Sequence, residues 1–341
     1  FMSFRRIEYI DFLKTLGLLL LILAHVDGPA FLLQLRCFDV PLMVILSGML
    51  ARNSYRRYLA KKKPEHPLFD RGYLLKRIVR LLIPTYIFLT IFFIIMATLG
   101  KTYTVRDIIY SYLLQSGSRG IGYVWIILVY LLCAFEVPFL YKLSLSSFKV
   151  IFCTIFVYIT YELMAHYHIG MENFLFYSIF YYAIPYGILT LIGMNYDELP
   201  KAPKRMLFLF SMGTFFAILV LFYIKTGAVK NMAIFKYPPR IYFLSYGVFM
   251  SILLIEIASR KHLQVYDNKL VTFIGKSTLW IYLWHILFLN LFDWFGVLKC
   301  WWIRFIILVL LSCVVTFVQN AILDMLDKNN MFRSWMSVFR G

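Results

Sequence analysis

Long apolar runs dominate this chain and recur along its whole length, each about 20 residues long. An α-helix of that length crosses the hydrocarbon core of a membrane, where every backbone polar group must be satisfied internally. Of the 341 residues, 62% are hydrophobic and 15% are charged, which is far from the composition of a soluble domain. The sequence therefore predicts an all-α integral membrane protein.

The spacing of the apolar runs predicts about ten transmembrane helices in one bundle. Their approximate ranges are 9–27, 36–52, 78–100, 121–141, 148–165, 174–195, 206–225, 240–259, 272–292 and 302–325. We expect residues 1–341 to form a single transmembrane domain. Within it, residues 53–76 are predicted to be a basic cytoplasmic loop and residues 327–341 a short cytoplasmic tail.

The 35 Lys and Arg residues are unevenly distributed among the predicted loops, and with 17 Asp and Glu they give a formal net charge of +18. They concentrate in alternate loops, which is the asymmetry that the positive-inside rule describes. This pattern predicts that both termini are cytoplasmic and that anionic lipid headgroups contact the chain. Because the charge follows membrane topology, it does not indicate a nucleic-acid partner.

Three ionisable residues lie along the first apolar segment. Asp11, Lys14 and His25 follow spacings of three and eleven residues, which return to nearly the same face of an α-helix. Charged groups are costly when they face lipid, so this stripe is expected to face the protein interior. It indicates either a functional site or a structural polar ladder between helices.

A second basic feature opens the third predicted helix. Arg77 and Arg80 are three residues apart and share one helix face at the predicted cytoplasmic edge. Their guanidinium groups suit the phosphates of a nucleotide or coenzyme, although membrane anchoring also explains them. Ser47 and Gly48, near the end of the second predicted helix, indicate either close helix packing or room for a ligand.

Aromatic and histidine side chains mark the predicted outer side. Tyr123 and Trp125 open the fourth predicted helix, where an aromatic belt is the simplest interpretation. Tyr237 lies in a turn made rigid by two following prolines. His285, three residues after Tyr282 in the ninth predicted helix, is expected to make a structural hydrogen bond.

The sequence offers little that predicts a metal site. His166 and His168, flanked by Glu162 and Glu172, are two residues apart, which is poor ligand geometry on a helix. The five cysteines show no paired spacing, and neither a nucleotide-binding loop nor a nucleophile elbow is present in the sequence. We therefore predict no metal site.

Taken together, these features resemble the membrane-bound acyltransferase-3 family. The motifs that carry the resemblance follow the family's order and span about residues 5 to 290. They are Tyr9-Ile10-Asp11-Phe12-Leu13-Lys14 with His25, Pro41 with Ser47-Gly48, Arg77-x-x-Arg80-Leu81-x-x-Pro84, Tyr123-x-Trp125, Tyr237-Pro238-Pro239, and Ser277 through His285. The chain departs from the family pattern at Lys14, where arginine is usual. Lysine keeps the positive charge but lacks the planar fork.

The resemblance implies a ten-helix enzyme that takes an acyl group, commonly acetyl, from cytoplasmic acyl-CoA. The acceptor it implies is a hydroxyl of a lipid-linked or surface glycan at the outer face of a bacterial cytoplasmic membrane. For such a reaction we expect His25 to act as the general base, and we also assign Lys14 and Asp11 to the catalytic set. Acyl-CoA would be bound by Lys14, Arg77, Arg80 and Ser47, and the acceptor side would be formed by Tyr123, Trp125, Tyr237 and His285.

Three details of this interpretation stay open at the level of sequence. Asp11 is about 21 Å from His25 along one helix, so it is expected to pair with Lys14 or an arginine instead. Asp27 or Asp39 is a candidate to orient His25. Two other functions fit the same charges: a transporter or flippase of lipid-linked sugars, which also needs inward-facing charged residues, and a membrane scaffold.

Overall fold

The computed structural model describes residues 2–62, 71–115, 120–260, 264–327 and 338–339. Within these ranges the chain is helical and has no β-strand beyond one isolated bridge between Lys236 and Pro239. In chain order the helices are α1 (Met2–Leu23), α2 (Ala30–Leu35), α3 (Asp39–Lys62), α4 (Arg71–Thr98), α5 (Val105–Tyr112), α6 (Trp125–Leu140), α7 (Phe148–His166), α8 (Phe174–Tyr196), α9 (Lys201–Thr226), α10 (Ile241–Arg260), α11 (Lys269–Lys276), α12 (Thr278–Phe295) and α13 (Trp301–Asp327).

The chain forms two compact units. The first contains Phe1–Gly28, Leu74–Leu131 and Leu263–Gly341, and therefore α1, most of α4, α5, and α11 to α13. The second contains Pro29–Tyr73 and Leu132–His262, and therefore α2, α3 and α7 to α10. Helix α6 passes from the first unit into the second.

The lengths of the helices confirm the predicted class, an all-α membrane protein. In the described part of the chain, seven helices or helix pairs are long and apolar enough to cross a membrane, and an eighth is added if α11 and α12 form one bent span. Helix α6 is apolar but shorter. Each of the ten predicted segments overlaps a helix, but ten crossings and two cytoplasmic termini stay predictions.

The boundaries of the first two predicted helices need correction. Helix α1 ends at Leu23, not at residue 27, and His25 lies in the turn that follows. Gly28 and Pro29 come next, and such residues favour a chain reversal over a continued helix. The predicted second helix is interrupted at residues 36–38, between α2 and α3.

Two further predictions differ from the structure. The segment 53–76, predicted as a loop, is helical over 53–62 in α3 and 71–76 in α4, and its remaining residues lie outside the described part. The predicted helix 272–292 is broken at Ser277, where α11 and α12 meet at a bend of 80°. The tail 327–341 lies largely outside the described residues.

Helix α3 packs closely against α8 in the second unit. A Cβ on Gly48 would meet the carbonyl oxygen of Thr190 at 2.5 Å, and one on Gly193 would meet the backbone of Ile45. Small residues therefore let the two backbones approach, which confirms the packing interpretation of Gly48.

Candidate functional site

Lys14 is held in the first unit by groups from two helices. Its ammonium nitrogen lies 3.6 Å from the Asp11 carboxylate, one turn earlier on α1, and donates a hydrogen bond to the Gly275 carbonyl. The prediction that Asp11 pairs with Lys14 is therefore confirmed. Asp11 is buried and Lys14 is half-buried, as expected for a charged stripe that turns away from lipid.

The bend at Ser277 makes this contact possible. Helix α11 ends at Lys276, so its last carbonyl groups have no partner within the helix and carry partial negative charge. The Gly275 carbonyl is one of these, and it accepts from Lys14. A Cβ on Gly275 would lie 2.5 Å from the Asp11 carbonyl oxygen, so only glycine lets α11 approach α1 this closely.

His25 and His285 are directly hydrogen-bonded. The Nδ1 atom of His25 lies 2.9 Å from Nε2 of His285, and the two rings are nearly parallel, with an interplanar angle of 14°. His285 is fully buried on α12, whereas His25 is half-buried in the turn after α1. This contact joins residues 260 positions apart in sequence.

The backbone fixes which nitrogen of each ring carries hydrogen. Nδ1 of His285 also contacts the carbonyl oxygen of Tyr282, and a carbonyl can only accept, so this nitrogen is the donor. Nε2 of neutral His285 therefore holds a lone pair and accepts from Nδ1–H of His25. The same logic leaves the lone pair of neutral His25 on its Nε2 atom. We name the chain Tyr282 carbonyl, His285 and His25 the histidine relay.

The partner of His25 differs from the carboxylates considered from sequence. The described hydrogen bond of its ring goes to His285, not to Asp27 or Asp39. Asp39 instead accepts from Arg36 at 2.5 Å and from the Val40 amide at 2.7 Å.

Tyr123 lies beside the histidine relay. Its ring lies edge-on to that of His25 with 4.8 Å between centroids, and its carbonyl accepts from the Tyr282 hydroxyl at 2.7 Å. Tyr123 is half-buried just before α6, and Trp125 is buried at the first position of that helix. The structure thus brings Tyr123 and His285, both predicted on the acceptor side, next to His25.

Basic side chains surround Lys14. Arg80 and Lys276 are close enough for their charges to act on Lys14, and Arg77 acts in the same way on Arg80. Arg77 is half-buried and Arg80 is exposed on α4. Among the described residues, no carboxylate pairs with Arg80. This basic cluster of Lys14, Arg77, Arg80 and Lys276 is suited to a polyanion.

Two predicted site residues, Ser47 and Tyr237, belong to the second unit. Ser47 is half-buried on α3, and the ring of Tyr237 is 44% exposed. Before it in the chain, Lys236 is buried, with its ammonium 5.7 Å from the centre of the Tyr237 ring. Burial lowers the pKa of Lys236, and the nearby Asp39 carboxylate partly opposes that shift.

His166 and His168 differ from the histidines of the histidine relay. His166 and His168 are exposed, and Glu162 makes an ion pair with Arg240 at 2.6 Å.

Sequence reasoning missed Gly275 and Lys276 as neighbours of Lys14, and Tyr282 as the group that fixes His285. The Gly-Lys-Ser step at 275–277 was the available signal, because glycine and serine often interrupt an apolar helix.

The fold and these polar groups define a multi-pass membrane protein with buried ionisable side chains. The family model described as an acyltransferase domain matches residues 7–320, nearly the whole chain. The chain therefore belongs to the acyltransferase-3 family and has the domain of a membrane acyltransferase. Neither a curated protein nor a solved structure matches it.

Proposed function

We propose that this protein is an O-acyltransferase that moves an acyl group, most simply acetyl, from cytoplasmic acyl-CoA to a hydroxyl of a surface or lipid-linked glycan. We propose a bacterial cytoplasmic membrane as its location. The observation that carries the proposal is the histidine relay, because it presents an oriented imidazole base beside an aromatic ring inside a membrane acyltransferase. General-base catalysis of acyl transfer requires such a group.

The proposed reaction is a single transfer. Nε2 of His25 takes the proton of the acceptor hydroxyl while the hydroxyl oxygen attacks the thioester carbonyl carbon. The new C–O ester bond forms, the C–S bond breaks, and the departing CoA sulfur receives the proton from His25. His285 stabilises the imidazolium that forms in between, because its Nε2 accepts from His25 while its own Nδ1–H remains bonded to Tyr282.

The basic cluster supplies the proposed donor site. Arg77 and Arg80 lie near the start of α4, the end expected at the cytoplasmic side, where acyl-CoA is made, and Lys14 lies near the middle of α1. Lys14 lies nine residues before the end of α1, about 14 Å at helical rise, and His25 lies in the turn that follows. That separation allows the phosphates to remain at the basic cluster while the pantetheine arm carries the thioester toward His25. Trp125 is proposed to contribute to the acceptor site.

Label transfer from radiolabelled acetyl-CoA tests this proposal. Membranes with the wild-type protein should form a labelled glycan or lipid-linked product, whereas His25→Ala should not at matched expression. The exposed His168→Ala is the matched control and should retain full transfer. Equal labelling with His25→Ala would exclude the proposed role of His25. Movement of a lipid-linked sugar without consumption of acyl-CoA would indicate a transporter instead.

A further inference from the structure

An apolar groove of about 460 Å³ lies in the second unit between α6, α7 and α8. Most of its lining is aliphatic or aromatic, and two of its lining residues on α7, Cys153 and Val157, are exposed. Two of its lining residues can be charged, Glu136 on α6 and Lys149 on α7. Neither belongs to the site proposed for acyl transfer.

The Glu136 carboxyl group is unusual for a membrane helix. Its Oε2 atom is buried and has no hydrogen-bond partner among the described residues. A Cβ on Gly187 would lie 3.0 Å from its carboxyl carbon and 3.1 Å from its Oε1 atom, so glycine on α8 makes the space that this carboxyl group fills. A polar group in an apolar setting is disfavoured unless it is hydrogen-bonded, and intramembrane carboxyl groups commonly mark functional sites.

The missing partner of Glu136 can come from an occupant of the groove. Apolar surroundings favour the neutral form of a carboxyl group, which donates one O–H and needs an acceptor. A bare hydrocarbon chain has none. The occupant must therefore carry a polar acceptor, such as an ester carbonyl, at the depth of Glu136.

Lys149 indicates that the other end of the bound molecule carries a negative charge. It is exposed in the first turn of α7, and α6 ends at Leu140, four residues beyond Glu136. The carboxyl group thus lies about 6 Å, or one helical turn, from the end of α6 that leads into α7. A positive charge at the edge with an acceptor site one turn deeper matches a glycerophospholipid, whose phosphate lies outside its ester carbonyls.

We propose that the groove binds an anionic glycerophospholipid, with its phosphate on Lys149, an ester carbonyl accepting from Glu136 and an acyl chain between α6 and α8. Binding of this lipid does not depend on the proposed catalytic reaction.

Cys153 offers a direct probe because it lines the groove, whereas Cys300, also exposed, lies in the other unit. The full-length protein in detergent is treated with N-ethylmaleimide, and the rate of modification at each cysteine is followed by mass spectrometry. Phosphatidylglycerol should slow modification of Cys153 but not of Cys300. Phosphatidylcholine at the same mole fraction should protect Cys153 much less. Equal protection by both lipids would overturn the proposed role of the phosphate.

Two variants test whether the positive charge of Lys149 contributes to lipid binding. Lys149→Ala should raise the phosphatidylglycerol concentration for half-protection about fivefold, the contribution of one lysine to an anionic lipid surface. Lys142 is an exposed lysine that does not line the groove, so Lys142→Ala is the control. It should leave the concentration for half-protection unchanged. An unchanged value in Lys149→Ala would contradict the proposal.

A separate readout addresses Glu136. Dicyclohexylcarbodiimide reacts with protonated carboxyl groups in apolar surroundings, so it should modify Glu136, and phosphatidylglycerol should suppress that modification. Glu136→Leu should lose the modification and weaken lipid protection of Cys153. Labelling of Glu136 that is indifferent to phosphatidylglycerol would overturn the hydrogen bond to the lipid.

Discussion

The Tyr282 carbonyl determines which ring nitrogen of His25 carries hydrogen. It does so through His285, whose ring lies between them. Because that oxygen can only accept, it sets the tautomer of His285, which in turn sets that of His25. A carboxylate usually performs this task in catalytic triads. A neutral imidazole avoids a second buried charge at a position where His285 is fully enclosed by protein.

Among single residues, Arg80 provides a test of the proposed donor site. Arg80→Ala should weaken binding of acetyl-CoA about tenfold to a hundredfold, since a hydrogen bond to a charged group contributes about 1.5–3 kcal/mol. Calorimetry with the detergent-purified protein measures this. The control is Arg205→Ala, an exposed arginine on α9 in the other unit. Equal affinity in Arg80→Ala and the parent would remove Arg80 from the donor site.

Single residues could be recognised from sequence more easily than their partners. Asp11, Lys14 and His25 stand out in the first apolar segment because ionisable side chains are costly in lipid. Their contacts with Gly275 and His285 join positions 261 and 260 residues apart, and local periodicity contains no information about such distances. Asp39 was a candidate for His25 only because it is near in sequence, and Arg36 is its partner instead.

Among the elements, the break between α11 and α12 has the largest consequence. It turns the Gly275 carbonyl toward Lys14 and lets α11 lie against α1. Apolar periodicity predicted a continuous helix here, because α11 and α12 are both apolar and only Ser277 separates them. The short helix α5 was missed for a related reason, since eight residues are too few for a membrane span.

Gly275→Ala tests the close approach of α11 to α1. The added Cβ would lie 2.5 Å from the Asp11 carbonyl oxygen, so the free energy of unfolding should fall by about 1–3 kcal/mol, as for other overpacked sites. The control is Gly213→Ala in α9, where a Cβ meets nothing within 4 Å. That variant should be neutral or up to about 1 kcal/mol more stable. Thermal unfolding in detergent compares them, and equal midpoints would argue against a tight α1–α11 contact.

For the whole molecule, the proposed reaction depends on orientation in the membrane. The donor site must face the cytoplasm and the acceptor the outside, as the distribution of Lys and Arg predicts. Composition alone supported the class of fold, because apolar runs this long have few alternatives. It did not reveal the two compact units, since each combines segments that are far apart in the chain, three in the first unit and two in the second.

Cysteine labelling in intact cells tests this orientation. In a background with Cys153 and Cys300 replaced by serine, an impermeant maleimide should label His168→Cys directly. Lys61→Cys, at the end of α3, should react only after permeabilisation. Both positions are exposed, so differences in labelling report the side of the membrane. The reverse pattern would invert the topology and place the basic cluster outside.

The most direct test of the central claim is a double-mutant cycle on the initial rate of acetyl transfer. Because His25 and His285 are proposed to act as one unit, His25→Ala should lower the rate about 10²–10⁴-fold, the range for general-base catalysis. The double variant should then be no slower than His25→Ala alone. His285→Ala with the full wild-type rate, or two effects that simply multiply, would contradict the histidine relay.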